Sequence, residues 1–472
     1  MNKLPDIKTD FTQWYQEVIA KADLADHAPV RGCIVIKPYG NDIWENIKKI
    51  LDKKIRDTGH SNALFPLLIP ESFLKKEADH VAGFAPELAV VTHAGGKELV
   101  EPLVVRPTSE TIIHHMFAQW IKSWRDLPLL INQWASVVRW EMRPRAFLRT
   151  TEFFWQEGHT AHATREEAEK EVQLMLDEYK DLAENYLAIP VITGRKSEGE
   201  KFPGAVKTYT FEGFMPDAKA LQMGTSHLLS QSFAHAFDMK FQNQEGEITY
   251  PWLTSWGATS RLVGAVIMVH GDQKGLVLPP AIAPYQVVII PIFKNEEEKI
   301  NVLNMVESLK ISCEKHNVRV HIDKDIHKTP GNKFYHWEVR GVPLRVEIGP
   351  RDVAAQQVIV VNRLTGEKHS IAVNEFISTV ATQLKDFQKL MYDKALAVRD
   401  SLFQNAKTFD EVVTVGQNCV VKTGFCGSRT CEETLKEHKL SIRCILEGTK
   451  TFAHCFKCHN ASIDDVLIAR SY

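Results

Sequence analysis

Nowhere in the 472-residue chain do eighteen or more apolar residues run together, which excludes a bilayer-spanning helix. The first thirty positions interleave Asp6, Asp10, Glu17, Asp23 and Asp26 with their apolar residues. They therefore hold neither the apolar h-region of a secretion signal nor the acid-poor, Arg-rich pattern of a transit peptide, and a soluble, cytoplasmic protein with no membrane partner is expected. Charge of one sign is missing too. A net charge of −2 excludes a protein that holds polyanions through its overall field, while leaving room for a local basic groove. Before Cys419 the chain has only Cys33 and Cys313, so no disulfide framework runs through its body. Glycine and proline, at 25 and 21, are too few for a collagenous or low-complexity chain, and no internal repeat is visible.

What is present is ordinary globular composition, 44% hydrophobic and 25% charged, and the length suits about three domains. Ile43, Ile47, Ile50, Leu51 and Ile55 recur at helical spacing before Gly59, predicting an amphipathic helix with a left-handed cap. Pro66 ends the short apolar run Ala63 to Phe65, as at an edge or interface strand. Thr164 and Glu167 form a capping box for a helix over about 165–188. Short aromatic-rich strands are predicted near 130–140, 151–160, 206–213 and 247–256. Strands in excess of helices without βαβ alternation imply an α+β domain on an antiparallel sheet, over 1–278. Three prolines between Leu278 and Pro284 read as a stiff linker. Beyond it strand and helix alternate, predicting a small, mostly parallel α/β domain over 285–393. A charged helix near 374–406 leads into a cysteine-rich end, taken as a third unit over 394–472.

Two stretches carry unusual charge. From Val137 to His162 the chain places Arg139, Glu141, Arg143, Arg145, Arg149, Glu152 and Glu157 among Trp140, Phe147, Phe153, Phe154 and Trp155. Two strands joined by a basic loop would aim guanidinium forks at one spot, where they suit phosphate oxygens. A solvated hairpin of Arg–Glu pairs fits the charge density equally well. From Thr254 to Gly264 a single arginine, Arg261, opens an apolar helix. It must be bound to an anion at the helix N-terminus or held in a buried ion pair. In the tail, Cys426 and Cys431 form C-x4-C and Cys455 and Cys458 form C-x2-C, two thiolate pairs suited to a structural, four-coordinate Zn²⁺. Cys419, Cys444, His454 and His459 compete for the same roles, and free buried thiols are the alternative.

At this point the residues resemble a family. GHSNALFPLL (59–68), VVRWE (137–141) and WGATSRLVGA (256–265) are similar to the three ordered signatures of class II aminoacyl-tRNA synthetases. RPTSET, FLRTTEFFWQEGHTAH, GTSHLLSQSFAHAF and MVHGDQKGLVLPP resemble the prolyl-tRNA synthetase family of the archaeal and eukaryotic type, and the likeness covers nearly the whole chain. The same-class rivals act on threonine, serine, glycine or histidine, and these pocket segments speak against them. A catalytically silent paralogue would be expected to lack the ATP arginines.

The resemblance implies ATP-dependent attachment of L-proline to tRNA(Pro) through prolyl-adenylate, with ATP used together with Mg²⁺. It implies that Arg139 holds the α-phosphate and the amino-acid carboxylate, Glu141 reads the adenine amine and Arg261 grips the far end of ATP. Arg149, Thr150, Gln222, Thr225 and Thr259 match further ATP contacts. Proline is implied at Thr108, Glu110, Arg139, Trp155, Glu157, His159 and His227, where a cationic secondary amine meets carboxylates and its ring meets aromatic walls. The 329–352 segment resembles the anticodon-binding module, with Lys333, Arg345, Glu347 and Arg351 as contacts to unstacked bases. A homodimer with Pro66 at its interface is implied, as is a terminal Tyr472 turned back towards the catalytic domain. The stretch between Arg139 and Arg261 is too short for the bacterial-type editing insertion, so no editing in cis is expected. Ser230 stands where the family has glycine, and Ser232 where it commonly has asparagine.

Overall fold

The computed structural model describes residues 4–74 and 88–472. Among these, an 11-stranded sheet dominates. Its centre is built from Val191–Arg195, Lys207–Phe214, Ala220–Ser230, Trp252–Thr259, Glu152–His162 and Leu129–Val138, each hydrogen-bonded to the next in that order and all antiparallel. The period of two along these strands separates two faces. Gln156 turns to one face, where it accepts a hydrogen bond from the buried Tyr179 hydroxyl at 2.5 Å. Its neighbours Trp155 and Glu157 turn to the other.

The helix Arg165–Asp181 covers the first face with Val172, Met175, Leu176 and Tyr179, and its capping box forms as the sequence predicts. It stops short of residue 188: Leu182–Tyr186 winds as a wider π-turn, which buries Leu182, Ala183 and Leu187 together. Opposite Trp256 in the register stands Gly158. A Cβ there would lie 2.1 Å from the Trp256 ring, so only glycine lets the indole cross the strand. The helix Pro38–Asp57 packs Ile43, Ile47, Leu51 and Ile55 into the same core, followed by Gly59 at φ +93°.

The 278–284 segment is anchored along its length. The Arg319 guanidinium donates to the carbonyls of Pro280, Ala281 and Ala283. Beyond it lies a 5-stranded sheet ordered Val320–Ile322, Val287–Pro291, Leu344–Ile348, Gln357–Asn362, Lys368–Ala372. The first three strands are parallel and the last two pair antiparallel, so the sheet is less parallel than alternation suggests. The turn after Asn362, with Gly366 at φ +76°, is too short for a crossover and can make only a hairpin. The expected boundary at 393/394 falls inside one helix, Val373–Ser401.

The cysteine-rich end does not form a sheet of its own. Its strands Phe403–Asn405, Val420–Phe425, Asp464–Ala469 and Ser441–Leu446 extend the central sheet, joined where Ile445 pairs with Arg195. Among the described residues no helix is long and apolar enough to cross a membrane.

Candidate active site

On the sheet face away from the Arg165–Asp181 helix lies a cleft of about 420 Å³. All the residues singled out above for ATP and for the amino acid line it. At one end three arginines converge. Arg139 donates from Nε to the Pro107 carbonyl at 2.9 Å, its guanidinium 5.3 Å from the Phe153 ring centre and 5.6 Å from that of Trp155. Arg261 donates to the Leu148 and Gln222 carbonyls, both at 3.0 Å, and its amide to Thr259 Oγ1. No carboxylate pairs with it among the described residues, which sets aside the buried ion pair. Burial, with the charges of Arg149 and Arg139 beside it, lowers the Arg261 pKa to about 10. Arg261 still carries its charge at neutral pH, and that repulsion is relieved by an incoming anion. Arg149 does pair with Glu141, at 3.3 Å.

The other end is acidic and aromatic. Glu157 is 2% exposed; its Oε1 accepts from Ser109 Oγ and Gln133 Nε2, both at 2.5 Å, and its Oε2 lies 3.0 Å from His159 Nε2. Burial alone would lower the His159 pKa, but the bond to Glu157 and the charges of Glu157 and Glu110 outweigh it and raise the value. Thr108 donates from Oγ1 to Glu110. His227 is held by Thr208 Oγ1 at 3.0 Å and Thr225 Oγ1 at 2.9 Å. Burial lowers its pKa to about 3, so the ring is neutral and does not repel a cation. Two buried carboxylates beside a neutral imidazole and Trp155 suit a small cationic ligand with an apolar body.

The four cysteines of the two pairs come together, with all their sulfurs within 4.8 Å of one another. Cys426 lies 3.8 Å from Cys431 and 3.6 Å from Cys458. Four sulfurs around one Zn²⁺ at about 2.3 Å would stand about 3.8 Å apart, so the donor set fits. Cys444 is buried in a different cluster, and neither it nor Cys419, His454 or His459 joins the group. In the α/β unit, Lys333 is buried with Nζ on the Asp323 carbonyl at 2.8 Å. Arg345 reaches Glu347 at 3.1 Å, and Lys368 reaches the same carboxylate at 2.7 Å. Arg351 is exposed. Tyr472 donates to Asp217 at 2.7 Å, with Lys219 and Arg145 over its ring.

Three segments match known families. Residues 93–270 match the tRNA synthetase class II core domain (G, H, P, S and T), residues 286–383 an anticodon binding domain and residues 409–472 the C-terminal domain of prolyl-tRNA synthetase. The core match leaves five amino acids open and the C-terminal match leaves one. Proline–tRNA ligase of Borreliella afzelii is 49% identical, with 98% of each chain covered. That of Alkaliphilus oremlandii is also 49% identical, over 100% of this chain and 98% of the relative. The chain belongs to the prolyl-tRNA synthetases. A crystal structure of the prolyl-tRNA synthetase from Cryptosporidium parvum complexed with L-proline and AMP superposes with a TM-score of 0.92 at 41% identity, covering 100% of this chain and 99% of that one. The same enzyme complexed with halofuginone and AMPPNP gives 0.93 at 42%, covering 100% and 97%.

Some residues of this prolyl-tRNA synthetase cleft escaped sequence reasoning. Ser109 and Gln133, which orient Glu157, lay inside segments already singled out but carried no charge to draw notice. Phe202 and Pro203 line the cleft from a loop with neither strand nor helix periodicity. Phe202 sets its ring 4.5 Å from that of His227.

Proposed function

We propose that the cleft activates L-proline with ATP as prolyl-adenylate, releasing pyrophosphate, and then passes the prolyl group to the terminal ribose of tRNA(Pro), releasing AMP. The observation that carries this reading is the meeting of an arginine-lined end and an acidic, aromatic end in one cleft. Glu110 and Glu157 receive the cationic amine, and Trp155, His159 and His227 enclose the ring. Arg139, at the junction, holds the carboxylate against the α-phosphate for in-line attack. Arg261, with Arg149, Thr150, Gln222, Thr225 and Thr259, holds the rest of ATP, and Glu141 accepts from the adenine amine. Mg²⁺ supplies further neutralisation of phosphate charge when bound with ATP. No covalent enzyme intermediate or general base is required; positioning and preorganised charge lower the barrier.

The reading extends along the chain as a catalytic unit over 1–278, an anticodon-binding unit over 285–393 and a zinc-binding unit over 394–472. In the second, exposed Arg351 and half-buried Arg345 would meet bases, whereas Glu347, buried and paired with Arg345, orients it and buried Lys333 ties its helix to Asp323. In the third, Cys426, Cys431, Cys455 and Cys458 hold a structural Zn²⁺, a closed set with no open position for catalysis. Leu64, Leu67 and Leu68 stand exposed around Pro66, which supports a homodimer there. The enzyme works in the cytoplasm; a proline pocket rejects the smaller alanine only weakly, and the stretch between Arg139 and Arg261 is too short for an insertion that would clear mischarged alanine in cis.

The test is exchange of labelled pyrophosphate into ATP. Proline is expected to drive it, and Arg139→Ala to reduce it at least ~10²-fold. Exchange with another amino acid but not with proline overturns the assignment.

A further inference from the structure

The amino-acid end of the cleft is closed by the loop between Arg195 and Lys207, and that loop is held from outside the catalytic unit. Glu432, on the short helix Arg429–Glu433 beside Cys431, is 5% exposed. Its carboxylate accepts from Ser197 Oγ and faces the Gly199 amide. A Cβ on Gly199 would lie 2.9 Å from Glu432 Oε1, so the loop backbone lies directly against the carboxylate. Immediately after Gly199, Glu200 to Pro203 form the cleft wall. The Phe202 amide donates to Thr208 Oγ1 at 3.0 Å, the same oxygen that holds His227 Nδ1 at 3.0 Å. Phe202 also lays its ring on His227. A short chain of contacts thus runs from Glu432 through Ser197 and Gly199 to Phe202, Thr208 and His227.

We infer that Glu432 is a positioning residue for amino-acid binding: the C-terminal unit sets the wall of the proline pocket by gripping the 197–203 loop. The inference rests on the assignment of that end of the cleft to proline. Glu432 does not line the cleft, so its loss shifts the Phe202 and His227 wall while leaving the arginine end in place. A change of fit on the scale of one methylene in a small apolar pocket is worth about tenfold or more in binding.

Pyrophosphate exchange on the full-length protein tests it, together with metal content and melting temperature. Glu432→Ala is expected to raise the proline KM about tenfold while the ATP KM stays within about twofold and kcat changes less than KM. Glu432→Gln, whose carboxamide oxygen still accepts, is expected to recover most of the loss. Ser197→Ala is expected to raise the proline KM several-fold, and His227→Ala to raise it directly. An unchanged proline KM in Glu432→Ala, with His227→Ala impaired, overturns the inference and leaves the pocket assignment standing. An unchanged KM in both overturns the pocket assignment itself, and with it this inference. Equal rises in both KM values with a lowered melting temperature or lost metal show a purely structural role and also overturn it. Should Glu432→Ala fail to fold, Ser197→Ala decides, since an unchanged proline KM there overturns the inference.

Discussion

Ser230 sits at φ +58°, where the register between the Ala220–Ser230 and Trp252–Thr259 strands slips by one residue. The left-handed region costs a residue with a Cβ about 1–2 kcal/mol, which explains why glycine suits this position in the family. Ser230→Gly is therefore expected to stabilise the protein by ~0.5–1 kcal/mol, the relief being partly offset by the extra freedom of glycine in the unfolded chain. Denaturant unfolding measures it. Neither Ser230 nor Ser232 lines the cleft, so exchange activity should not change. Ser232 instead donates to the Leu229 carbonyl at 2.8 Å. The Ser230 departure is a local backbone matter, whereas Ser232 also donates to the Gly204 carbonyl at 3.2 Å, next to the loop that closes the cleft.

At the level of elements, the junction between Ser441–Leu446 and the catalytic strands encloses three charges. Glu212 is fully buried, accepting from Lys196 at 2.7 Å through one oxygen and from Arg443 at 3.1 Å through the other. Lys196 also donates to the Arg443 carbonyl at 3.0 Å. Burial raises the Glu212 pKa, but the charges of Arg443 and Lys196 outweigh it and bring the value down to about 2. Removing one member of such a group strands the others without water. Glu212→Ala is accordingly expected to cost ~3–5 kcal/mol, read from the urea midpoint. Replacing Lys196, Glu212 and Arg443 together by apolar residues of similar volume is expected to cost far less. A triple variant as unstable as the single one would show that the charges do more than satisfy one another.

For the whole molecule, the sulfur cluster and the exposed leucines set two expectations. Purified protein should contain about one zinc per chain, and a strong chelator should lower the melting temperature, because binding energy at a closed thiolate site is folding energy. Metal-free protein of unchanged stability contradicts this. Sedimentation at micromolar concentration should show a dimer, and Leu64→Asp should shift it towards monomer. A monomer before any substitution would remove Pro66 and its neighbours from an interface.

Local chemistry by itself determined much of this protein. The Thr164–Glu167 capping box, the 3.6-residue period of Ile43 to Ile55 and the prolines after Leu278 each act within a few residues, and the elements formed where those signals lay. The clustering of arginines, the paired cysteines and the glutamates among aromatics were equally legible, because their chemistry belongs to the side chains themselves. Tertiary structure alone decided what those side chains meet. Ser441–Leu446 and Asp464–Ala469 carry apolar strand patterns, yet nothing local states that they will extend a sheet begun hundreds of positions earlier. Lys333 looked like a surface cation until Asp323 folded over it. Glu432 carries no local signal of its role, and only the fold brings Ser197 to it. Strand pairing and burial depend on partners distant in the chain, and so does a cleft whose two ends come from different strands.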